Sequence, residues 1–110
     1  MTKRAKSNKQ SEPRTDVDVA PYDVAEHLRT PEEMADYLDA WLAEAPDDIA
    51  GIARALGDIA RAKGMSQVAK DAGLSRESLY RALSAEGNPS LATVLKVTRA
   101  LGLRLHALPA

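Results

Sequence analysis

The side chains in this chain best suited to recognise a ligand fall in one short run. From Ser75 to Ser84, the polar residues Ser75, Arg76, Glu77, Ser78, Tyr80, Arg81 and Ser84 are interleaved with apolar Leu79, Ala82 and Leu83 at helical spacing. On a helix the polar set faces outward. Arg76 offers the fork that pairs bidentately with guanine, and Ser75 and Ser78 donate to bases or phosphates. Tyr80 and Arg81 reach toward the phosphate backbone, which sets register without reading sequence, and Glu77 either accepts from cytosine N4 or only excludes wrong sequences by repulsion. Further on, Asn88 and Ser90 stand at the opening of another helix, where free backbone N–H groups suit a phosphate. These nine residues are the candidate DNA-binding set.

Other chemistries find less support. Ser66 and Lys70 sit one helical turn apart, the spacing of a Ser–Lys hydrolytic dyad, but a chain of 110 residues has no second domain to build a pocket around them. His27 and His106 are far apart and lack metal-ligand spacing. The absence of cysteine excludes disulfides, thiolate metal sites and a cysteine nucleophile. The expectation is a protein that is not an enzyme and carries no metal or cofactor.

The elements that must position the polar row are legible around it. Met65 to Leu83 has a helix-turn-helix pattern. Ala69 stands where two helices cross closely, and Gly73 stands where the turn needs a positive φ. Val68, Ala72, Leu74, Leu79 and Ala82 supply the apolar clamp. The first helix of the pair is read over Gln67–Ala72 and the second over Arg76–Leu83.

Flanking segments divide by composition and charge. Residues 1–19 are polar and lack apolar periodicity, which reads as a disordered basic arm. Order is expected from about Pro21, with Asp23 capping a short turn from Val24 to Leu28. Thr30-Pro31-Glu32-Glu33 combines a capping box with proline at the first helical position. Met34, Tyr37, Leu38, Trp41, Leu42 and Ala45 then form an apolar stripe that ends at Pro46. A third segment places Ile49, Ile52, Ala53, Leu56, Ile59 and Ala60 on one face and stops at Lys63-Gly64. The last helix directs Leu91, Val94, Leu95, Thr98 and Leu101 inward, closing at Gly102. Leu103 to Leu108 alternates with period two, as a short strand or extended tail does.

The net charge of −1 conceals a strong asymmetry: residues 21–48 carry −8 and residues 49–110 carry +5. An acidic block followed by a basic one points to two different partners. The reading is therefore an all-α protein with a disordered basic arm (1–19), an acidic helical extension (20–46) and a helix-turn-helix domain (47–110). No signal peptide or transmembrane run is present in the sequence, so a cytoplasmic protein without membrane association is expected.

Residues from about 47 to 103 resemble lambda-repressor-like (XRE/Cro) helix-turn-helix domains, which implies a five-helix fold. Residues from about 21 to 108 are more specifically similar to the probable addiction-module antidote proteins, HigA-like antitoxins. Ala55–Gln67, Gly73–Ser84 and Gly87-Asn88-Pro89 carry that resemblance. It implies an antitoxin of a type II toxin–antitoxin system that neutralises a RelE/ParE-like toxin and binds operator DNA to repress its own operon. Ser66-Gln67 lies closer to Ala69 than in many such repressors, so Gln67 is not carried over as a phosphate contact. The acidic segment then supplies the toxin-facing candidates Tyr22, Glu32, Asp36, Tyr37 and Asp39. The alternative is a stand-alone or prophage helix-turn-helix regulator without a toxin. In either case one module reads a short half-site, so a homodimer is expected, formed through the last helix and Leu103–Leu108.

Overall fold

The computed structural model describes residues 24–84 and 86–110. The basic arm, the Asp23 cap and Tyr22 lie outside the described residues. A 3-10 turn, Val24–His27, precedes five α-helices: α1 Pro31–Glu44, α2 Ile49–Lys63, α3 Met65–Ala72, α4 Arg76–Ala82 and α5 Leu91–Ala100.

Local chemistry sets most helix ends. Thr30 Oγ1 accepts from the Glu33 amide at 3.1 Å, and Glu33 Oε1 accepts from the amides of Thr30 (3.2 Å) and Arg29 (2.8 Å). That is the capping box read from the sequence, with Pro31 at the first helical position. The bond from the Arg29 amide holds the Glu33 carboxyl below the usual carboxylate range. Asp48, Ser75 and Ser90 cap α2, α4 and α5 by accepting from the amide three residues on. Gly64 both ends α2 and precedes α3, so α3 starts at Met65, two residues before the expected Gln67.

The core is a single cluster. Leu56 and Ile59 of α2, Val68 of α3, Leu79 of α4, Val97 of α5 and Leu101 at its C-terminal end are almost fully removed from solvent. Each burial of this kind contributes roughly 1.5–3 kcal/mol. Leu28, Met34 and Leu38 join the same cluster, so α1 and the turn before it pack on the helices that follow. The α1–α2 seam has polar ties as well. The Tyr37 hydroxyl donates to Asp58 Oδ2 at 2.6 Å, and the Arg54 guanidinium lies 5.9 Å from the centre of the Trp41 ring. Gly51 permits that seam, because a Cβ there would collide with the Trp41 indole and the Asp48 carboxylate.

Three expectations are corrected. Leu91 and Leu95 are exposed, and Val97 takes the inward place beside Thr98 and Leu101. The core-facing stripe of α5 is thus Val94, Val97, Thr98 and Leu101, docked on α3, while Leu91 and Leu95 fall on another side. Ile49 is exposed because it begins α2 before the helix reaches the core. No strand forms among the described residues, and residues 103–110 are irregular. A strand needs a paired edge, and no second extended segment lies beside this one. The buried Thr98 hydroxyl is satisfied by donating to Val94 O at 2.6 Å.

Candidate nucleic-acid interface

The α3–α4 hairpin begins with its turn. Gly73 adopts the left-handed conformation, φ 74° and ψ 30°, a region that side chains with a Cβ enter at a cost. Its amide donates to Lys70 O at 3.1 Å and the Leu74 amide donates to Ala69 O at 2.8 Å. This double bond pattern terminates α3 and redirects the chain. Ser75 then starts α4: its Oγ accepts from the Ser78 amide at 3.0 Å and donates to Ser78 Oγ at 2.9 Å. Inside the hairpin, Val68, Ala69, Ala72 and Leu79 are buried, with Leu74 and Ala82 packed at the edge. Ala69 is 2% exposed, which leaves no room for a larger side chain where the helices meet.

With one face of α4 fixed inward by Leu79, the other is a polar row open to solvent. Arg76, Glu77, Tyr80 and Arg81 are exposed, and Ser78 and Ser84 are half-buried. The row is organised from within. Arg76 Nη2 donates to the Tyr80 hydroxyl at 3.0 Å, and its guanidinium lies 5.4 Å from the Tyr80 ring centre. One of five guanidinium N–H donors is thereby used, and the fork is held along the helix with the others available. Glu77 and Arg81 pair at 3.8 Å, while Ser84 Oγ donates to Arg81 O at 3.0 Å. Asn88 and Ser90 are exposed on the approach to α5, and no hydrogen bond joins them to the α4 row among the described residues.

Arg76 and Tyr80 also form one wall of a concavity whose other side is Arg61 at the end of α2 and Ser66 and Gln67 at the start of α3. These three were not in the candidate set. Arg61 accompanies Asp58 at 2.9 Å, and the Gln67 amide donates to Asp71 at 2.8 Å. The basic last turn of α2 was the signal for Arg61, but on sequence alone it reads as a complement to the helix dipole. Ser66 and Lys70 both face solvent on α3.

On α1, Glu32, Asp36 and Asp39 are exposed. Tyr37 differs from them: it is half-buried, and its hydroxyl is taken up by Asp58. Burial first, and then that bond, push its pKa up to about 12. No group of three or more His, Cys, Asp or Glu among the described residues is arranged to hold a metal ion. No helix among them is long and apolar enough to cross a membrane.

Two short helices are clamped across a tight turn, with a row of polar side chains turned outward, in an all-helical chain. Residues 18–109 match the model of the family described as probable addiction module antidote protein, and the chain belongs to that family. An uncharacterized protein of Haemophilus influenzae is 59% identical over 85 residues, covering 77% of this chain and 86% of that relative. No solved structure matches the chain significantly.

Proposed function

We propose that this protein is the antitoxin of a type II toxin–antitoxin pair, a HigA-like protein with a lambda-repressor-like domain of the XRE class. In this reading it neutralises a RelE/ParE-like toxin and binds operator DNA to repress its own operon from the cytoplasm. The observation that carries the DNA half is the α3–α4 hairpin. Its crossing is set by Ala69 and Leu79, its turn by Gly73, and its outer face presents Arg76 and Tyr80 as a joined unit.

Such a hairpin docks with α4 in the major groove and the N-terminal half of that helix toward base edges. Arg76 reads guanine with the N–H groups not given to Tyr80, while Arg81, Tyr80 and Ser84 meet phosphates. Ser75 and Ser78 hold the start of α4, and their exposed edges lie nearest the bases. Glu77 balances Arg81 and disfavours sequences that would place a phosphate beside it. Asn88 and Ser90 bring the first amides of α5 to a neighbouring phosphate. The acidic face of α1, with Glu32, Asp36 and Asp39, steers and docks a basic toxin. Tyr37 contributes its ring edge there, and Tyr22 is assigned to the same partner.

Co-expression tests the reading. A small neighbouring gene whose product arrests growth, and is relieved by this protein, supports it; a toxin-free locus with operator binding intact leaves the stand-alone regulator. On the protein's own promoter, Arg76→Ala is expected to weaken specific binding by about 1–3 kcal/mol. Unchanged affinity in an anisotropy titration removes Arg76 from the readout.

A further inference from the structure

Residues 3–14 carry Lys3, Arg4, Lys6, Lys9 and Arg14 against one acidic residue, Glu12, and have no apolar period. All five cations precede residue 18, so they lie outside the segment that matches the antidote family. The antitoxin reading gives them no role.

The fold says where this stretch is attached. The 3-10 turn Val24–His27 packs on α2, and Ala25 lines the concavity shared by Arg61, Ser66, Gln67, Arg76 and Tyr80. The chain therefore joins the fold beside the polar row of α4. Two grooves hold acidic side chains of α1, Asp36 and Asp39 in one and Glu44 in the other, and neither includes a residue of that turn. Arg61 keeps 44% of its side chain exposed while paired with Asp58, and Arg76 lines the same concavity. A polyanion drawn to these two guanidinium groups passes the point where residues 1–23 are attached. From Arg14 to Val24 the chain can span at most about 35 Å, which is about one turn of duplex DNA.

We propose that residues 3–14 are a phosphate-binding arm, which extends the contact made by α4 along the backbone of the flanking duplex. The inference rests on the DNA half of the antitoxin reading and adds to it a second contact, independent of base sequence. Duplex DNA carries one negative charge per ~1.7 Å of its axis, so cations scattered along a chain find phosphates without a fixed side-chain geometry. Each gains by displacing condensed counterions. Asp16, Asp18 and Asp23 lie between the five cations and the fold. Phosphates repel them, which places the contact beyond α4 rather than beneath it.

Anisotropy titrations of the full chain on a duplex carrying its own promoter, repeated across salt concentrations, test it. One variant combines Lys3→Gln, Arg4→Gln, Lys6→Gln, Lys9→Gln and Arg14→Gln. A second exchanges lysine and arginine at the same five positions and so keeps the charge. The slope of log affinity against log salt is expected to shrink by roughly 3 to 4.5 in the glutamine variant and to hold in the exchanged one. Preference for the promoter over a scrambled duplex should persist in both, because phosphates carry no sequence information. Arg76→Ala should do the reverse, losing preference and keeping most of the slope. Arg99→Gln with Arg104→Gln, in a separate groove, should leave the slope as it is. An unchanged slope in the glutamine variant overturns the arm, and is the result expected if residues 3–14 are held on the acidic face of α1 instead. An equal loss per charge from the Arg99 and Arg104 pair also overturns it, since net charge alone would then be acting. Failure of the operator reading looks different: the wild type would bind promoter and scrambled duplex alike, while the glutamine variant still lost slope, which supports the arm. A wild type that binds no duplex overturns both.

Discussion

The outer face of α4 and the α5–tail face are both exposed, and they meet solvent in opposite ways. On α4 the polar groups already satisfy one another, Arg76 with Tyr80 and Glu77 with Arg81, so the helix presents a prearranged set of donors. On the α5–tail face the side chains are leucines and the backbone is left open. The first arrangement suits a charged, hydrated ligand whose phosphates and base edges exchange hydrogen bonds. The second gains only when another protein surface excludes water from it. One small core thereby carries two faces of different chemistry, and the predictions ask whether they can be separated.

The largest expected effect strikes both at once. Leu79 is fully buried and is the anchor of α4, so Leu79→Ala should cost about 2–5 kcal/mol in chemical denaturation and impair DNA binding with it. If stability fell and operator affinity of the folded fraction did not, α4 would not be the reading element. Arg76→Ala should act on one face alone. Operator binding is expected to fall by about 1–3 kcal/mol while folding stability stays within about 0.5 kcal/mol. A comparable loss of stability would mean that the Arg76–Tyr80 contact is structural.

Tyr37 probes the seam between α1 and α2. Tyr37→Phe should cost about 0.5–1.5 kcal/mol through loss of the bond to Asp58, read by thermal or urea unfolding. The folded protein holds the neutral phenol, with a pKa of about 12 against 10.0 in the unfolded chain. The contribution of this bond is therefore intact below pH 10 and is lost as pH rises through 12. The Phe variant should lack that component of alkaline destabilisation. Smallest is Glu77→Gln: the pair with Arg81 is long and both partners are mostly exposed, so stability should change by less than about 0.5 kcal/mol. Any larger effect of that substitution should appear in DNA binding, which would confine it to the polar face.

Much of this architecture was legible residue by residue. The capping box at Thr30 and Glu33, the stop at Gly64, the left-handed turn at Gly73 and the outward set on α4 all follow from neighbouring residues. Each depends on contacts within a few residues, or on a helical period fixed by one buried anchor. The site was less legible at its edges. Arg61, Ser66 and Gln67 reach the concavity beside Arg76 only because α2 and α3 fold against α4.

By itself the sequence determined the run of helices, the capping box of α1, the stop at Gly64 and the polar face of α4, since backbone hydrogen bonding and 3.6-residue periodicity are local properties. Only the tertiary structure decided which side of α5 is core. Leu91, Leu95 and Val97 are all apolar, and nothing in their spacing distinguishes the one that α3 covers. It also decided that the Tyr37 hydroxyl belongs to Asp58, 21 residues away, and that Leu103–Leu108 is an open tail rather than a strand. A strand, like a core, is completed by a surface elsewhere, and a linear pattern does not name that surface.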